Sequence, residues 1–265
     1  MRVAASALAM ALGACAPRPD VFVLCHNVNC GDPHDLALDD TLEGLAASLA
    51  LTVGGRPAFD GMEMDVFWDQ GRCLLAHDAS DLGDHVDVRD GAMMIAEFLR
   101  SNADVAHNGE RFTMQLELKP QIDEPELVPH IDCALEVFRI VEDGALAGGH
   151  QLDLAIDSYD PALLRAVREH PGTERQVRLG LDLGGPPPFS PSNLVGVADL
   201  ELTFAELHPT WTSDAILSWV RSNELGLTFW TYDLTAQTLQ AIQEQRPQYI
   251  VTGQARLMRE WLAYD

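Results

Sequence analysis

From residue 21 to the end, β-like and helix-like stretches alternate, and nothing else in the chain constrains its fold as tightly. Such alternation calls for a parallel α/β arrangement rather than a sandwich. The strand candidates are residues 21–26, 61–68, 112–119, 152–158, 177–183, 200–208, 227–233 and 249–252, with 73–77 as the arm of an extra hairpin. Between them lie helical patterns: Leu42, Leu45 and Leu49 share one face behind Asp39/Asp40 caps, and Ile131, Leu135 and Phe138 share another. Eight such units predict a TIM (β/α)8 barrel, a single domain over residues 21–265. A chain of 265 residues that is 47% hydrophobic can bury the one core this requires. The proline-rich stretch 184–191 is read as a loop, because strand-like sequence resumes soon after it.

Residues 1–14 carry one basic residue and an apolar run too short to cross a bilayer, which reads as a signal peptide. Leu12-Gly13-Ala14-Cys15 resembles the lipobox of bacterial lipoproteins. That resemblance implies cleavage before Cys15, a lipid anchor on its sulfur, a tether over residues 15–20 and residence in the bacterial cell envelope; a plain secretory signal is the alternative. Cys25, Cys30, Cys73 and Cys133 remain, and an oxidising compartment could pair them in any of three ways. The net charge of −24, from 41 acidic against 17 basic residues, makes nucleic acid a poor partner. A monomer is expected.

The stretch from Gly61 to Asp78 carries the chemistry. Glu63 and Asp65 alternate with Met62, Met64 and Val66, so on a strand both carboxylates leave one face, ~7 Å apart at Cα. Hard oxygen ligands on one face suit Mg²⁺ or Ca²⁺. The Asp69-Gln70-Gly71-Arg72 turn folds the chain back, so the run from Cys73 to Ala76 delivers His77 near the same strand end. Glu117 and Lys119 repeat the two-residue spacing on the next strand, His26 ends the first strand, and Trp230 and Asp233 close the seventh. In a TIM barrel catalytic groups lie at these C-terminal strand ends. The competing reading is a barrel interior with salt-bridged acids and a surface histidine.

Together these segments resemble the glycerophosphodiester phosphodiesterase superfamily, which includes sphingomyelinase D-like phospholipases. Val23-Leu24-Cys25-His26-Asn27 is similar to the strand bearing the first catalytic histidine, and residues 39–44 to the segment opening the first helix. Gly61–Val66 resembles the two-acid metal strand, His77-Asp78 the second histidine, and Leu116-Glu117-Leu118-Lys119 the strand with a third acid and a lysine. Residues 229–233 and 250–252 resemble the last two strands. The chain departs from the glycerophosphodiesterase pattern where Asn27 and Val28 replace an Arg-Gly pair; His26-Asn27-Val28-Asn29 is closer to sphingomyelinase D-like enzymes. Gly253 stands where an Asp is common, and the inserted cap domain is absent.

The resemblance implies one divalent cation, Mg²⁺ or Ca²⁺, held by Glu63, Asp65 and Glu117, with His26 and His77 sharing acid and base work. Lys119, Asn27 and Trp230 would contact a small-molecule or lipid phosphodiester. Lys119 could instead pair with Glu117 inside the barrel. His34 could substitute for His26, and His208 is the other histidine within reach of the mouth. The alternatives are a sphingomyelinase D-like lyase forming a cyclic phosphate and a non-catalytic barrel that binds phosphorylated ligands.

Overall fold

The structure, a computed structural model, describes residues 21–31, 34–77, 86–109, 111–120, 126–173, 177–184, 194 and 197–263. The proposed signal peptide, lipobox and tether, Asp78, and all of the proline-rich loop except Gly184 lie outside the described residues. Eight strands form the barrel: β1 (Phe22–Cys25), β2 (Gly61–Asp69), β3 (Arg111–Leu118), β4 (Gln151–Ser158), β5 (Arg178–Asp182), β6 (Phe204–Leu207), β7 (Gly226–Thr231) and β8 (Tyr249–Thr252). Each pairs in parallel with its neighbours, and β1 joins both β8 and β2, so the sheet closes. Closure leaves no barrel edge open.

Among the described residues, seven α-helices follow the strands: α1 (Leu42–Leu49), α2 (Val88–Ser101), α3 (Leu127–Gly148), α4 (Pro161–Glu169), α5 (Asp214–Ser222), α6 (Ala236–Gln245) and α7 (Ala255–Leu262). Alternation on the strands sorts the side chains. Met62, Met64 and Val66 face outward into the shell with Leu45, Ile95 and Leu99, while Glu63 and Asp65 face the barrel axis. Five of these helix N-termini are capped by side chains from the preceding segments: Thr41, Asp87, Asp160, Ser213 and Thr235 each accept a backbone N–H, whereas α3 and α7 start without a side-chain cap.

Two expected boundaries move. Thr41, not Asp39 or Asp40, caps α1, because Asp39 is bonded to Asn29 and Asp40 turns toward the acids of the mouth. The expected strand 200–208 shortens to β6, since Ala198–Leu200 forms a 3₁₀ turn. The hairpin forms as read: Asp69 pairs with Arg72 across Gln70 (φ 48°) and Gly71 (φ 80°), the two positive-φ residues of a tight turn. Four cysteines pair as Cys25–Cys30 and Cys73–Cys133, the second tying the hairpin arm to α3.

The N-terminal end of the barrel is closed by satisfied charges. Asp60 is fully buried, pairs with Arg259 of α7, and accepts the backbone N–H groups of Val23 (2.9 Å) and Asn108 (2.8 Å). Arg178 pairs with Asp153 at 3.0 Å and lies 4.5 Å from the ring centre of Tyr249, whose hydroxyl also donates to Asp153. Tyr249 in turn stacks on Phe22. Ligand access is thereby left to the opposite end.

Candidate active site

At the C-terminal end, β1 runs into a 3₁₀ turn at His26–Val28 in which Asn27 (φ 47°) and Val28 (φ 53°) both adopt left-handed backbone. For a β-branched residue this conformation costs roughly 1–2 kcal/mol. The Cys25–Cys30 disulfide spans the turn and ties its two ends together. The turn aims the Asn27 N–H at Glu63, donating to Oε2 at 2.6 Å. The Asn27 side chain, expected to contact substrate, is buried, and its Oδ1 has no hydrogen-bond partner among the described residues.

Glu63 and Asp65 of β2 meet Glu117 of β3 because Asp65 and Glu117 are partners across the ladder. One oxygen from each of the three lies within 4.8 Å of the others. Glu63 Oε1 and Asp65 Oδ2 are buried without hydrogen-bond partners among the described residues. Burial pushes the Glu63 carboxyl well above its usual range, and the charges of Asp65 and Glu117 push it further. Burial likewise raises Asp65 to about 6, against the opposing pull of Lys119. Unsatisfied hard oxygens on one face are the donor set a divalent cation takes, so these residues fit a metal.

Lys119 reaches both Glu117 (2.7 Å) and Asp65 (3.1 Å). Burial alone would lower its pKa, but the two carboxylates outweigh that and hold the ammonium well above its ordinary range. The barrel-interior ion pair therefore exists, with Asp65 as a second partner.

His26 is buried, its ring stacked parallel to Trp230 at 5.9 Å and edge-on to Tyr232 at 4.6 Å. Burial, then the charges of Lys119, His34 and His77, hold it well below its ordinary pKa. His77 is exposed beyond the hairpin arm, close enough for its charge to act on both His26 and Asp65. Trp230 is partly exposed and sits among His26, His208, Trp211 and Tyr232.

His34 lies beside this group without replacing His26. Its Nδ1 faces the Gly253 carbonyl at 3.2 Å, and its Nε2 faces Asp39 at 3.1 Å. Burial opposes its charge, but the bond to Asp39 prevails and raises its pKa. A Cβ on residue 253 would lie 2.2 Å from His34 Nδ1. Gly253, standing where an Asp is common, thus makes room for the imidazole of His34.

Four acids escaped the sequence reading as parts of the site. Asp40 approaches Asp65, and its Oδ1 is buried without a hydrogen-bond partner among the described residues. Asp157, Asp182 and Glu206 occupy β4, β5 and β6; Glu117 is the ladder partner of Asp157, and Asp182 that of Glu206. For the last three the available signal was position: each stands at the last or next-to-last residue of its strand, as Glu117 does.

No protein-family model matches the sequence, and no curated protein matches it significantly. Solved structures of similar fold include an Oleispira antarctica phosphodiesterase in complex with sn-glycerol-3-phosphate, at 14% identity and a TM-score of 0.61, over 92% of this chain and 97% of that one. A glycerophosphodiester phosphodiesterase from Parabacteroides distasonis aligns at 15% identity and a TM-score of 0.57, over 92% and 98%. A calcium-dependent phosphoinositol-specific phospholipase C from a Pseudomonas species aligns at 12% and 0.55, over 91% and 92%. The chain has the fold of the glycerophosphodiester phosphodiesterases.

Proposed function

We propose that this chain is a metal-dependent phosphodiesterase acting on glycerophosphodiesters or phospholipid head groups. The observation that carries the reading is the convergence of Glu63, Asp65 and Glu117 at the mouth, flanked by Lys119 and by two histidines. Glu63, Asp65 and Glu117 would hold one Mg²⁺ or Ca²⁺, which as a Lewis acid draws charge from the phosphate oxygens. The remaining work falls to the chain's own groups. Asn27 N–H fixes the Glu63 carboxylate, and Lys119 supplies a positive charge for the phosphate from a position locked by two acids.

His26 suits the general base, since burial keeps its imidazole neutral and able to accept a proton from the attacking hydroxyl. His77, exposed to solvent, suits the acid that returns a proton to the leaving alcohol oxygen. Water as the attacker gives a linear monoester and an alcohol; a neighbouring hydroxyl of the substrate gives a cyclic phosphate and the same alcohol. The similarity of His26-Asn27-Val28-Asn29 to sphingomyelinase D-like enzymes favours testing the second outcome, and phosphorus NMR of early products on a lysophospholipid distinguishes the two. The two disulfides support export to an oxidising compartment, in line with the proposed leader and an anchor at Cys15. Among the described residues, no helix is long and apolar enough to cross a membrane.

The deciding experiment is hydrolysis of bis-p-nitrophenyl phosphate and glycerophosphocholine before and after chelation, with Mg²⁺ or Ca²⁺ added back. Activity lost on chelation and restored by the cation is expected. Full activity after verified metal removal overturns the metal's role, and no turnover of any diester leaves a binding barrel.

A further inference from the structure

We propose that His34 is a positioning residue that holds the His26 imidazole in its working orientation, acting through the ring of Tyr232. The role rests on the phosphodiesterase reading, in which His26 is the base.

A histidine base needs its ring held still, and the usual device is a hydrogen bond from the nitrogen that does not meet the substrate. His26 lacks a bond at one nitrogen: its Nδ1 is buried with no hydrogen-bond partner among the described residues. Ring packing is what remains to orient it. Trp230 lies parallel to the imidazole at 5.9 Å, and Tyr232 stands edge-on to it at 4.6 Å and 81°. A parallel neighbour limits tilting of the ring, while a perpendicular one limits its sliding and turning in plane. Tyr232 can do this only if it is held in turn.

His34 supplies that support. Strands β7, β8 and β1 are neighbours in the barrel, and Tyr232, Gly253 and His26 follow their last residues. The middle position carries no side chain, and the His34 imidazole fills it: Nδ1, Cε1 and Cγ lie 2.2, 2.6 and 2.8 Å from where a Cβ on residue 253 would stand. There the imidazole meets the Tyr232 ring at 5.4 Å. It is fixed at both ends, with Nδ1 against the Gly253 carbonyl at 3.2 Å and Nε2 against the Asp39 carboxylate at 3.1 Å. A carbonyl and a carboxylate only accept, so the ring donates from both nitrogens as an imidazolium. Neither nitrogen is left for substrate, which makes His34 a support rather than a second acid or base. Asp39 also accepts from the Asn29 amide at 2.8 Å, and the Asn29 backbone N–H donates to the His26 carbonyl at 2.8 Å. The brace therefore returns to the turn that it serves.

The test reads rate and ring geometry separately. With Mg²⁺ or Ca²⁺ at saturation, kcat and KM for bis-p-nitrophenyl phosphate are measured for the wild type, His34→Ala, Gly253→Ala, Tyr232→Phe, Tyr232→Val and His34→Ala/Tyr232→Val. His34→Ala should lower kcat about tenfold while KM stays within about twofold, since a misaimed base slows proton transfer and leaves the phosphate contacts in place. Gly253→Ala should reproduce that loss because its Cβ evicts the imidazole, and it carries the test by itself if His34→Ala does not fold. Tyr232→Phe, which keeps the ring, should lose less than Tyr232→Val. Because His34 acts through Tyr232, the double variant should be no more than about twofold slower than Tyr232→Val. Losses that multiply in the double variant, or an unchanged kcat in both His34→Ala and Gly253→Ala, overturn the proposal. Ring geometry is read by NMR of carbon-13 histidine-labelled protein, as cross-relaxation between the His26 and Tyr232 rings. Weaker cross-relaxation in His34→Ala and Gly253→Ala is expected, and full retention in both overturns the brace. This second arm needs no turnover: if the wild type cleaves no diester and the ring contact still weakens, the phosphodiesterase reading fails and the support of His26 by His34 stands.

Discussion

The two ends of this barrel treat buried acids in opposite ways. At the N-terminal end Asp60 has Arg259 and two backbone donors, and Asp153 has Arg178 and Tyr249. At the C-terminal end Asp40, Glu63, Asp65, Glu117, Asp157, Asp182 and Glu206 crowd round one ammonium, and several of their oxygens have no hydrogen-bond partner among the described residues. Satisfied burial holds a fold together, while unsatisfied burial costs stability and persists where function requires it. Acids that serve the scaffold are thereby told apart from acids that serve a ligand. Changing either set puts that division at risk.

The largest effects are expected at the C-terminal end and should fall on rate alone. Glu63→Ala, Asp65→Ala and Glu117→Ala should each lower kcat/KM at least ~100-fold, and Glu63→Ala, which removes a repelling carboxylate without taking an ion-pair partner from Lys119, should leave the melting temperature of the metal-free protein unchanged or higher. His26→Ala and His77→Ala should each cost on the order of 10²–10⁴-fold, and the double variant little more, since proton transfers by a pair act as a unit. A single histidine variant that keeps more than about a tenth of the wild-type rate removes that residue from the chemistry.

At the N-terminal end the same kind of change should fall on stability instead. Arg259→Met leaves Asp60 charged and buried, which should cost about 3–5 kcal/mol in denaturant unfolding, with kcat of the folded protein unaltered. Pairing it with Asp60→Leu should recover much of the loss. If the single variant unfolds at the wild-type denaturant midpoint, the division between the two ends does not hold.

How much of this was readable in the sequence depends on the physics behind each feature. The barrel was legible, since period-two and helical patterns alternate and are local. So was the pair Glu63/Asp65, because alternation alone sends both to one face, and the Gln70-Gly71 turn, because it needs positive φ. Asp157, Asp182 and Glu206 were not, because each is a lone strand-end acid until closure of the barrel sets them side by side. The entry of His34 into the space at Gly253 joins residues 219 apart, and no spacing rule could link them. Asp40 looked like a cap because acids commonly cap helices, yet Thr41 was nearer the first turn.

The disulfides divide stability from activity at a smaller scale. Opening Cys73–Cys133 releases a separation of 60 residues and should cost about 4 kcal/mol, whereas Cys25–Cys30 closes only a separation of 5 and should cost about 2 kcal/mol. Activity should follow the opposite order. Cys25→Ser/Cys30→Ser loosens the turn that carries His26 and the Glu63 clamp, so it should reduce kcat more than Cys73→Ser/Cys133→Ser does. Equal loss of activity in both variants would detach the first disulfide from the site.

The smallest expected effect is a slope with pH, and its sign separates the two kinds of buried group. Asp65 is raised from 3.8 to about 6, so the folded metal-free protein holds that proton more tightly than the unfolded chain does. Its contribution is full below pH 3.8 and is lost as pH rises through 6. Asp182, raised to about 7 chiefly by burial, acts in the same direction over a slightly wider window. His130 opposes them. It is buried on α3 with Nε2 against the Val66 carbonyl at 3.0 Å, and burial lowers it from 6.5 to about 4. The stability it confers as a neutral ring is full above 6.5 and is lost as pH falls through 4. Displacing a pKa by one pH unit corresponds to about 1.4 kcal/mol, so Asp65 and His130 largely cancel, and Asp182 tips the balance together with Glu63, Asp157 and Glu206, which burial likewise holds well above their ordinary range. Metal-free protein should therefore lose stability as pH rises from about 4 to about 7, and His130→Gln should steepen that loss. Mg²⁺ or Ca²⁺ should reverse it, because a cation binds the deprotonated carboxylates and stabilises only the folded state. Melting temperatures across this range, in chelator and in excess cation, decide the matter: stability that climbs with pH in the chelated protein would show that the mouth acids are not held unsatisfied.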